Sequence, residues 1–329
     1  PSAAMRPRSA TTPAGAKRRP GTSGTSGADG ARAGGAGRSG SRRPRQMDTE
    51  PVRYWDAQAH GYDDNIFSTI DEDSTRIITR TLDRCAARDG DGALGRCIDL
   101  GCGAGKYLPA LAERFRAVRA YDLSPKLVGV AKKELKSRGI GNVEVCVRDL
   151  ARIWYQDKAP APQDVGHASE MESYGFAVMA NVLIAPVGEP GHALMLRNAF
   201  RSLCPGGRLL VVVPSLESAL FVNMRCAEAS VEGPCDVLHR PTRAEGADVL
   251  QGIMRRSGVR TKHYLEPEFR LLARKTGFDL EVVEKVLYTW RSELGLMCDA
   301  AVPRALQSPP LPWDWLFLLR RPGGPDAPA

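Results

Sequence analysis

The chain contains no run of about eighteen apolar residues and no apolar segment of the kind that directs secretion, so neither a membrane-spanning helix nor export is written into it. Its eight cysteines (Cys85, Cys97, Cys102, Cys146, Cys204, Cys226, Cys235 and Cys298) are scattered, without a C-x-x-C pair or regular spacing. That excludes a disulfide framework or a zinc cage and suits buried thiols in a reducing compartment. No internal repeat is present. Lysine is scarce, ten residues against 36 arginines, so an arginine-rich composition is not by itself the mark of a nucleic-acid binder.

The positive charge that is present is unevenly placed. Residues 1–46 hold ten Lys/Arg and one acid, Asp29, for a net +9, which leaves −1 for the rest of the chain. Gly, Ser, Ala, Pro and Thr fill most of that stretch, and without apolar periodicity it cannot offset its ordering entropy; a disordered basic tail is expected. Three readings of it stay open: a plain solvated extension, an organelle transit peptide, or a nucleic-acid-binding arm. The corresponding location is the cytoplasm, or a plastid or mitochondrion if the tail is a transit peptide. The chain opens at Pro1 with Met5 and Met47 downstream, so its start is not fixed by the sequence. Residues 47–320 read as one domain, which 43% hydrophobic content can supply with a core, and residues 321–329 as a second short tail.

The domain is organised around Cys97-Ile98-Asp99-Leu100-Gly101-Cys102-Gly103-Ala104-Gly105. A short apolar run breaks into alternate glycines and resumes at helical spacing through Tyr107, Leu108 and Leu111, which reads as strand, tight loop and a helix over 104–115. Glycines there permit positive φ and bring backbone N–H groups close to a ligand at a helix N-terminus. The dinucleotide fingerprint Gly-x-Gly-x-x-Gly fails at its sixth position, Lys106. Val118 to Asp122 forms a second short strand ending in an acid, 23 residues after Asp99, with Ser124-Pro125 opening the next helix. One strand–helix–strand step fits that interval, and an acid at the second strand's tip is where a ribose diol is held.

Asp-x-Gly-x-Gly-x-Gly resembles the first motif of class I S-adenosylmethionine (SAM)-dependent methyltransferases, most like the small-molecule, type 11 group. A second match is the Leu-x-Pro-Gly-Gly-x-Leu-Leu-Val-Val-Val run from Leu203 to Val213, similar to that family's turn into strand five. The likeness spans roughly residues 52–214. It implies a Rossmann-like α/β fold: a doubly wound, mostly parallel seven-stranded sheet with a reversed last strand, and SAM as cofactor. Carried over motif by motif, the cofactor contacts are Asp99, Gly101, Cys102 and Gly103 in the loop, Asp122 and Leu123 after the second strand, and Asp149 and Leu150 after the third. Asn181 of Asn181-Val182-Leu183 faces the methionine part, and Tyr62 of the aromatic lead-in 52–62 is either a lid contact or packing. The Asn/Asp-Pro-Pro-aromatic motif of amino-group methyltransferases acting on adenine or glutamine is missing.

The remaining elements follow in order. A helix over 70–87 carries Ile77, Ile78, Leu82 and Cys85; strands fall at 143–147, 174–181 and 209–213; and a helix with Leu194, Leu196, Ala199, Phe200 and Leu203 stops at Cys204-Pro205-Gly206-Gly207. Residues 215–262 hold a helix through Met224 and then a polar stretch too long for a simple loop, expected to cover the substrate. Glu266-Pro267 opens another helix closed by Gly277, Val282 to Trp290 reads as strand six, and Pro312 to Leu319 as the final strand. The expected activity is methyl transfer to a small-molecule acceptor; an RNA methyltransferase using the tail, or a SAM-binding protein without turnover, are the alternatives. Glu217, His239, His263 and Tyr264 are the residues able to act as a base, and none is singled out. No metal site and no membrane partner are expected, and oligomeric state is left open.

Overall fold

A computed structural model describes residues 53, 55–57, 68–87, 92–152, 154, 171–185, 188–231, 233, 243–256, 259–296 and 298–323. The chain divides into two units, Pro1–Gln46 and Met47–Ala329, and all of the first lies outside the described residues. Outside them too are Tyr62, His239 and residues 324–329 of the expected second tail.

Two short helices come first, α1 (Thr69–Glu72) and α2 (Ile77–Cys85), where the sequence predicts one continuous helix. The break has a local cause. The Asp73 carboxylate accepts from the Thr75 backbone N–H at 3.1 Å and the Ile78 N–H at 2.8 Å, capping α2, while Arg76 takes a left-handed φ of 56°. Then β1 (Arg96–Leu100), α3 (Leu108–Arg114), β2 (Ala117–Asp122), α4 (Pro125–Ser137) and β3 (Val143–Val147) form two strand–helix–strand steps. Ser124 caps α4 as expected, its Oγ accepting from the Leu127 N–H at 3.2 Å with Pro125 in the first turn.

The second half runs β4 (Tyr174–Ala180), α5 (Gly188–Ser202), β5 (Leu203–Pro214), α6 (Leu216–Glu228), α7 (Arg243–Leu250), β6 (Ile253–Arg256), β7 (Val259–Lys262), α8 (Glu266–Lys275), β8 (Asp279–Leu287), α9 (Trp290–Leu294) and β9 (Trp313–Arg320). Seven strands form one sheet in the order β3-β2-β1-β4-β5-β9-β8. The first five pair in parallel, and β9 runs antiparallel to both neighbours, so the last strand is the reversed one and lies inside β8. The expected fold class is the one observed.

Central strands covered on both faces must be apolar throughout. Leu209 to Val213 of β5 are all at 0% exposure. On one face Leu196 and Ala199 of α5 and Phe269, Leu272 and Ala273 of α8 pack against the sheet. On the other lie Ile78 and Leu82 of α2, Leu108 and Leu111 of α3, and Val128, Ala131 and Leu135 of α4. A smaller cluster outside the sheet joins Val222 and Cys226 of α6, Trp290 of α9, and Val302 and Leu306.

Two further expectations are corrected. Trp290 heads α9 and does not end strand six, because the Thr289 Oγ1 accepts from the Ser292 N–H at 3.1 Å and starts a helix there. The stretch after α6 contains an antiparallel hairpin, β6 with β7 (Met254 opposite Thr261, Arg255 opposite Arg260), where no strand is predicted. Its residues carry too few apolar side chains for a period-two pattern to stand out.

Candidate functional site

β1 and β2 lie side by side and β1 also pairs with β4, so the segments leaving the carboxyl ends of all three converge on one edge of the sheet. In such sheets ligands bind outside that edge. Gly101, Gly103 and Gly105 adopt φ of +87°, +54° and +94°, a region that side chains rarely enter. The Gly101 and Cys102 N–H groups both donate to the Tyr121 carbonyl, at 2.7 and 2.9 Å, and fasten the loop to β2. A Cβ on Gly101 would stand 2.5 Å from Val182 Cγ2, so the loop and the segment after β4 are in direct contact.

Two carboxylates are buried beneath this loop. Asp122 Oδ2 accepts from the Gly103 N–H and Oδ1 from the Ser124 N–H, both at 2.8 Å. A carboxylate has about four acceptor positions, so one remains beside the backbone donors. Burial raises the Asp122 carboxyl above its usual value, against the N–H groups of Ser124, Gly103 and Leu123, which favour the charged form. Asp99 is 3% exposed, and burial together with the Asp122 charge pushes its carboxyl from 3.8 up to about 8. At neutral pH the free protein therefore keeps a proton on Asp99.

At the tip of β4, Asn181 has a left-handed φ of 52°, and its N–H donates to the Val212 carbonyl at 2.9 Å. Its Oδ1 is buried and has no hydrogen-bond partner among the described residues. Leu183, Ile184 and Ala185 are clamped by groups further along the chain. The Lys262 N–H donates to the Ile184 carbonyl at 2.8 Å, His192 Nε2 lies 2.8 Å from the Ala185 carbonyl, and the Tyr264 hydroxyl lies 3.1 Å from the Leu183 carbonyl. Tyr264 also lies 2.7 Å from His192 Nδ1. A carbonyl only accepts, so Nε2 carries the hydrogen and Nδ1 is the acceptor, the single Tyr264 hydroxyl hydrogen being shared between Nδ1 and the Leu183 carbonyl; burial lowers the His192 pKa, which favours that neutral form.

The other expected contacts are placed as follows. Asp149 turns back on its own segment, Oδ1 accepting from the Ala151 N–H at 2.9 Å and Oδ2 facing Arg152 Nε at 3.2 Å. Leu150 is buried, with its carbonyl taken by Asn198 Nδ2 at 3.0 Å. Of the four residues able to act as a base, Glu217 is a structural tie: Oε2 accepts from Ser215 Oγ at 3.1 Å and Trp315 Nε1 at 3.0 Å, and Oε1 from the Glu266 N–H at 3.1 Å. Tyr264 is spent on the clamp, and burial raises its pKa further. His263 Nδ1 lies 3.0 Å from the Thr261 carbonyl, and His239 lies outside the described residues.

Sequence reasoning missed His192, a lone histidine in a helical stretch. It also missed Asp56, whose Oδ1 accepts from Ser124 Oγ at 2.5 Å and so reaches the start of α4 from the aromatic lead-in. Among the described residues no cluster of His, Cys, Asp or Glu could hold a metal ion, seven cysteines are free thiols, and no helix is long and apolar enough to cross a membrane.

A parallel sheet with a reversed last strand, a glycine loop after β1 and an acid at the tip of β2 define the class I nucleotide-type methyltransferase architecture. The methyltransferase domain family matches residues 92–264, just over half the chain, and the chain belongs to that SAM-dependent family. It is 30% identical over 155 residues to the probable cobalt-precorrin-6B C(15)-methyltransferase (decarboxylating) of Methanothermobacter thermautotrophicus, covering 46% of this chain and 68% of that protein. Among solved structures it is similar to a chain in the complex between the Haloferax volcanii Trm112 methyltransferase activator and the putative methyltransferase, at 15% identity and TM-score 0.50, over 82% of this chain and 97% of that one. A structure described under the conversion of a disulfide bond into a thioacetal group during echinomycin biosynthesis aligns at 17% identity and TM-score 0.51, over 84% and 93%. At such identities the structural likeness is one of fold.

Proposed function

We propose that the protein transfers the methyl group of SAM to a small-molecule acceptor, with the cofactor held by the loop after β1 and the tips of β2, β3 and β4. The observation that carries this reading is the buried Asn181 Oδ1, which has no hydrogen-bond partner among the described residues and sits beside a loop whose glycines hold left-handed φ. Burying an acceptor without a donor costs about 1–3 kcal/mol, a cost that a bound donor group removes. Asp122 has an acceptor position left for a ribose hydroxyl, and Gly101, Cys102, Gly103 and Leu123 supply the backbone around it. Leu150 and Asp149 flank the adenine, with Asp149 having to share its carboxylate with Arg152. Tyr62, expected as a lid contact or as packing, lies outside the described residues. Asp99 is the place where a cationic ligand would release a proton.

When bound, SAM supplies an electrophilic methyl group on a sulfonium sulfur. The protein's own contribution is to hold the acceptor in line with it, and positioning of that kind is worth roughly 7–11 kcal/mol of barrier. No residue is assigned as the base, since Glu217 and Tyr264 are already bonded within the fold. The acceptor lies against α6, which follows β5 on the ligand edge. Two observations favour a small molecule over RNA. The local basic cluster is partly neutralised, Arg260 pairing with Asp248 at 2.6 Å and Arg255 with the same carboxylate at 3.4 Å. A relative is named for methylation of a cobalt precorrin.

Calorimetry of Asp122→Ala tests the cofactor site: loss of a hydrogen bond to a carboxylate predicts SAM affinity about ten- to a hundredfold weaker. An unchanged constant in the folded variant, or no SAM binding by the wild type, refutes it. Incubating cell extract with the protein and methyl-labelled SAM, then separating small molecules from RNA, tests the acceptor class. Label confined to RNA overturns that part.

A further inference from the structure

Beyond the cofactor residues, the ligand edge carries a second set of buried groups without partners. Trp290 opens α9 at 3% exposure, and its Nε1 has no hydrogen-bond acceptor among the described residues. The same holds for Nε1 of Trp313, the first residue of β9. Phe221 of α6 stands between the two indoles, its ring centroid 6.1 Å from Trp290 and 5.9 Å from Trp313. The Trp313 backbone N–H is held by Ser218 Oγ at 2.8 Å, so α6 and the start of β9 are fixed to each other.

The cluster's place in the sheet matters as much as its chemistry. Asp314 pairs with Pro214 at the carboxyl end of β5, and Asn181 bonds to Val212 of the same strand. Trp313 therefore lies about 12 Å from Asn181, two strand spacings across the sheet and two residues further along it. That separation is one small molecule wide. The apolar neighbours Val222, Cys226, Val302 and Leu306 offer no side-chain oxygen to the Trp290 indole. Lys285 Nζ lies 3.8 Å from the Trp313 ring centroid and adds positive charge to that side. Flat apolar faces, two N–H donors and a cation together suit one kind of ligand.

We infer that Phe221, Trp290 and Trp313 form the acceptor-binding site, and that it takes a flat, largely apolar molecule bearing carboxylate or carbonyl oxygens, which the two indole N–H groups hold. This inference rests on the methyl-transfer reading above and names the acceptor's chemical class. The full chain, labelled with nitrogen-15 at its five tryptophans, gives resolvable indole resonances, and Trp290→Phe and Trp313→Phe assign the two in question. With S-adenosylhomocysteine present, benzoate is added as the probe and benzylamine, which offers donors and a cation, as the contrast.

The expected result is saturable movement of the Trp290 and Trp313 resonances with benzoate and none with benzylamine. Each phenylalanine variant should bind benzoate about tenfold more weakly, since it keeps the ring but lacks the donor, and should hold SAM as the wild type does. Unmoved resonances, equal movement with benzylamine, or unchanged benzoate affinity in both variants overturns the inference. SAM binding is measured on the same samples. Its absence in the wild type defeats the methyltransferase reading, whereas SAM binding with silent indoles defeats only the acceptor site.

Discussion

Replacing Asp99 with asparagine should remove a downward slope of stability with pH in the free protein. Folding raises the Asp99 carboxyl from 3.8 to about 8, chiefly by burying it and secondly by placing it near Asp122. Between those values the folded protein binds a proton that the unfolded chain has released, so stability falls as pH rises. Asp99's contribution is fully present below about pH 4 and is lost by the time pH passes about 8. One proton's difference is worth about 1.4 kcal/mol per pH unit, or about 3 kcal/mol between pH 5 and pH 7. The asparagine side chain cannot titrate, and every other group is common to both proteins, so the difference between their stability curves isolates this residue.

Urea denaturation of wild type and Asp99→Asn at pH 5, 6 and 7, without SAM, measures that difference. The wild type should lose ground to the variant at each step upward. Parallel curves would refute the reasoning, because they would mean that Asp99 is ionised in the fold. The same protonation predicts that the wild type releases a proton when it binds SAM near pH 7 and that the variant does not. Calorimetry in buffers of differing ionisation enthalpy reads the release directly.

Gly101→Ala forces a side chain into φ +87° and into contact with Val182. It should cost at least about 1–2 kcal/mol of stability and weaken SAM binding, and a variant with wild-type melting temperature and SAM affinity would contradict the contact between loop and β4 segment. Tyr264→Phe leaves His192 Nδ1 without its donor and should lower stability by about 1–2 kcal/mol, while adding little if the hydroxyl is merely solvated; thermal melts decide. Removing residues 1–46 should leave the melting temperature and SAM affinity nearly unchanged, and a truncated protein that fails to fold would place structure in the tail.

The local parts of this protein were written in short stretches of its chain. The alternate glycines after Asp99, the Ser124-Pro125 helix start, the continuous apolar run of β5 and the order of strands all express steric and burial rules that act within a few residues. Asp99, Gly101, Gly103, Asp122 and Asn181 are grouped as expected cofactor contacts by the family motifs they resemble and not by those local rules. What the tertiary structure alone decided is which polar groups are already taken. Glu217 reads as a free acid until Trp315, 98 residues on, donates to it. Tyr264 reads as a candidate base until His192, 72 residues back, accepts its proton in a buried pair. Trp290 reads as strand until Thr289 caps a helix, and its indole joins that of Trp313 only because β9 returns between β5 and β8. Hydrogen bonds of that reach leave no trace in local periodicity, since they depend on where the sheet brings distant side chains and on how much water it removes from them.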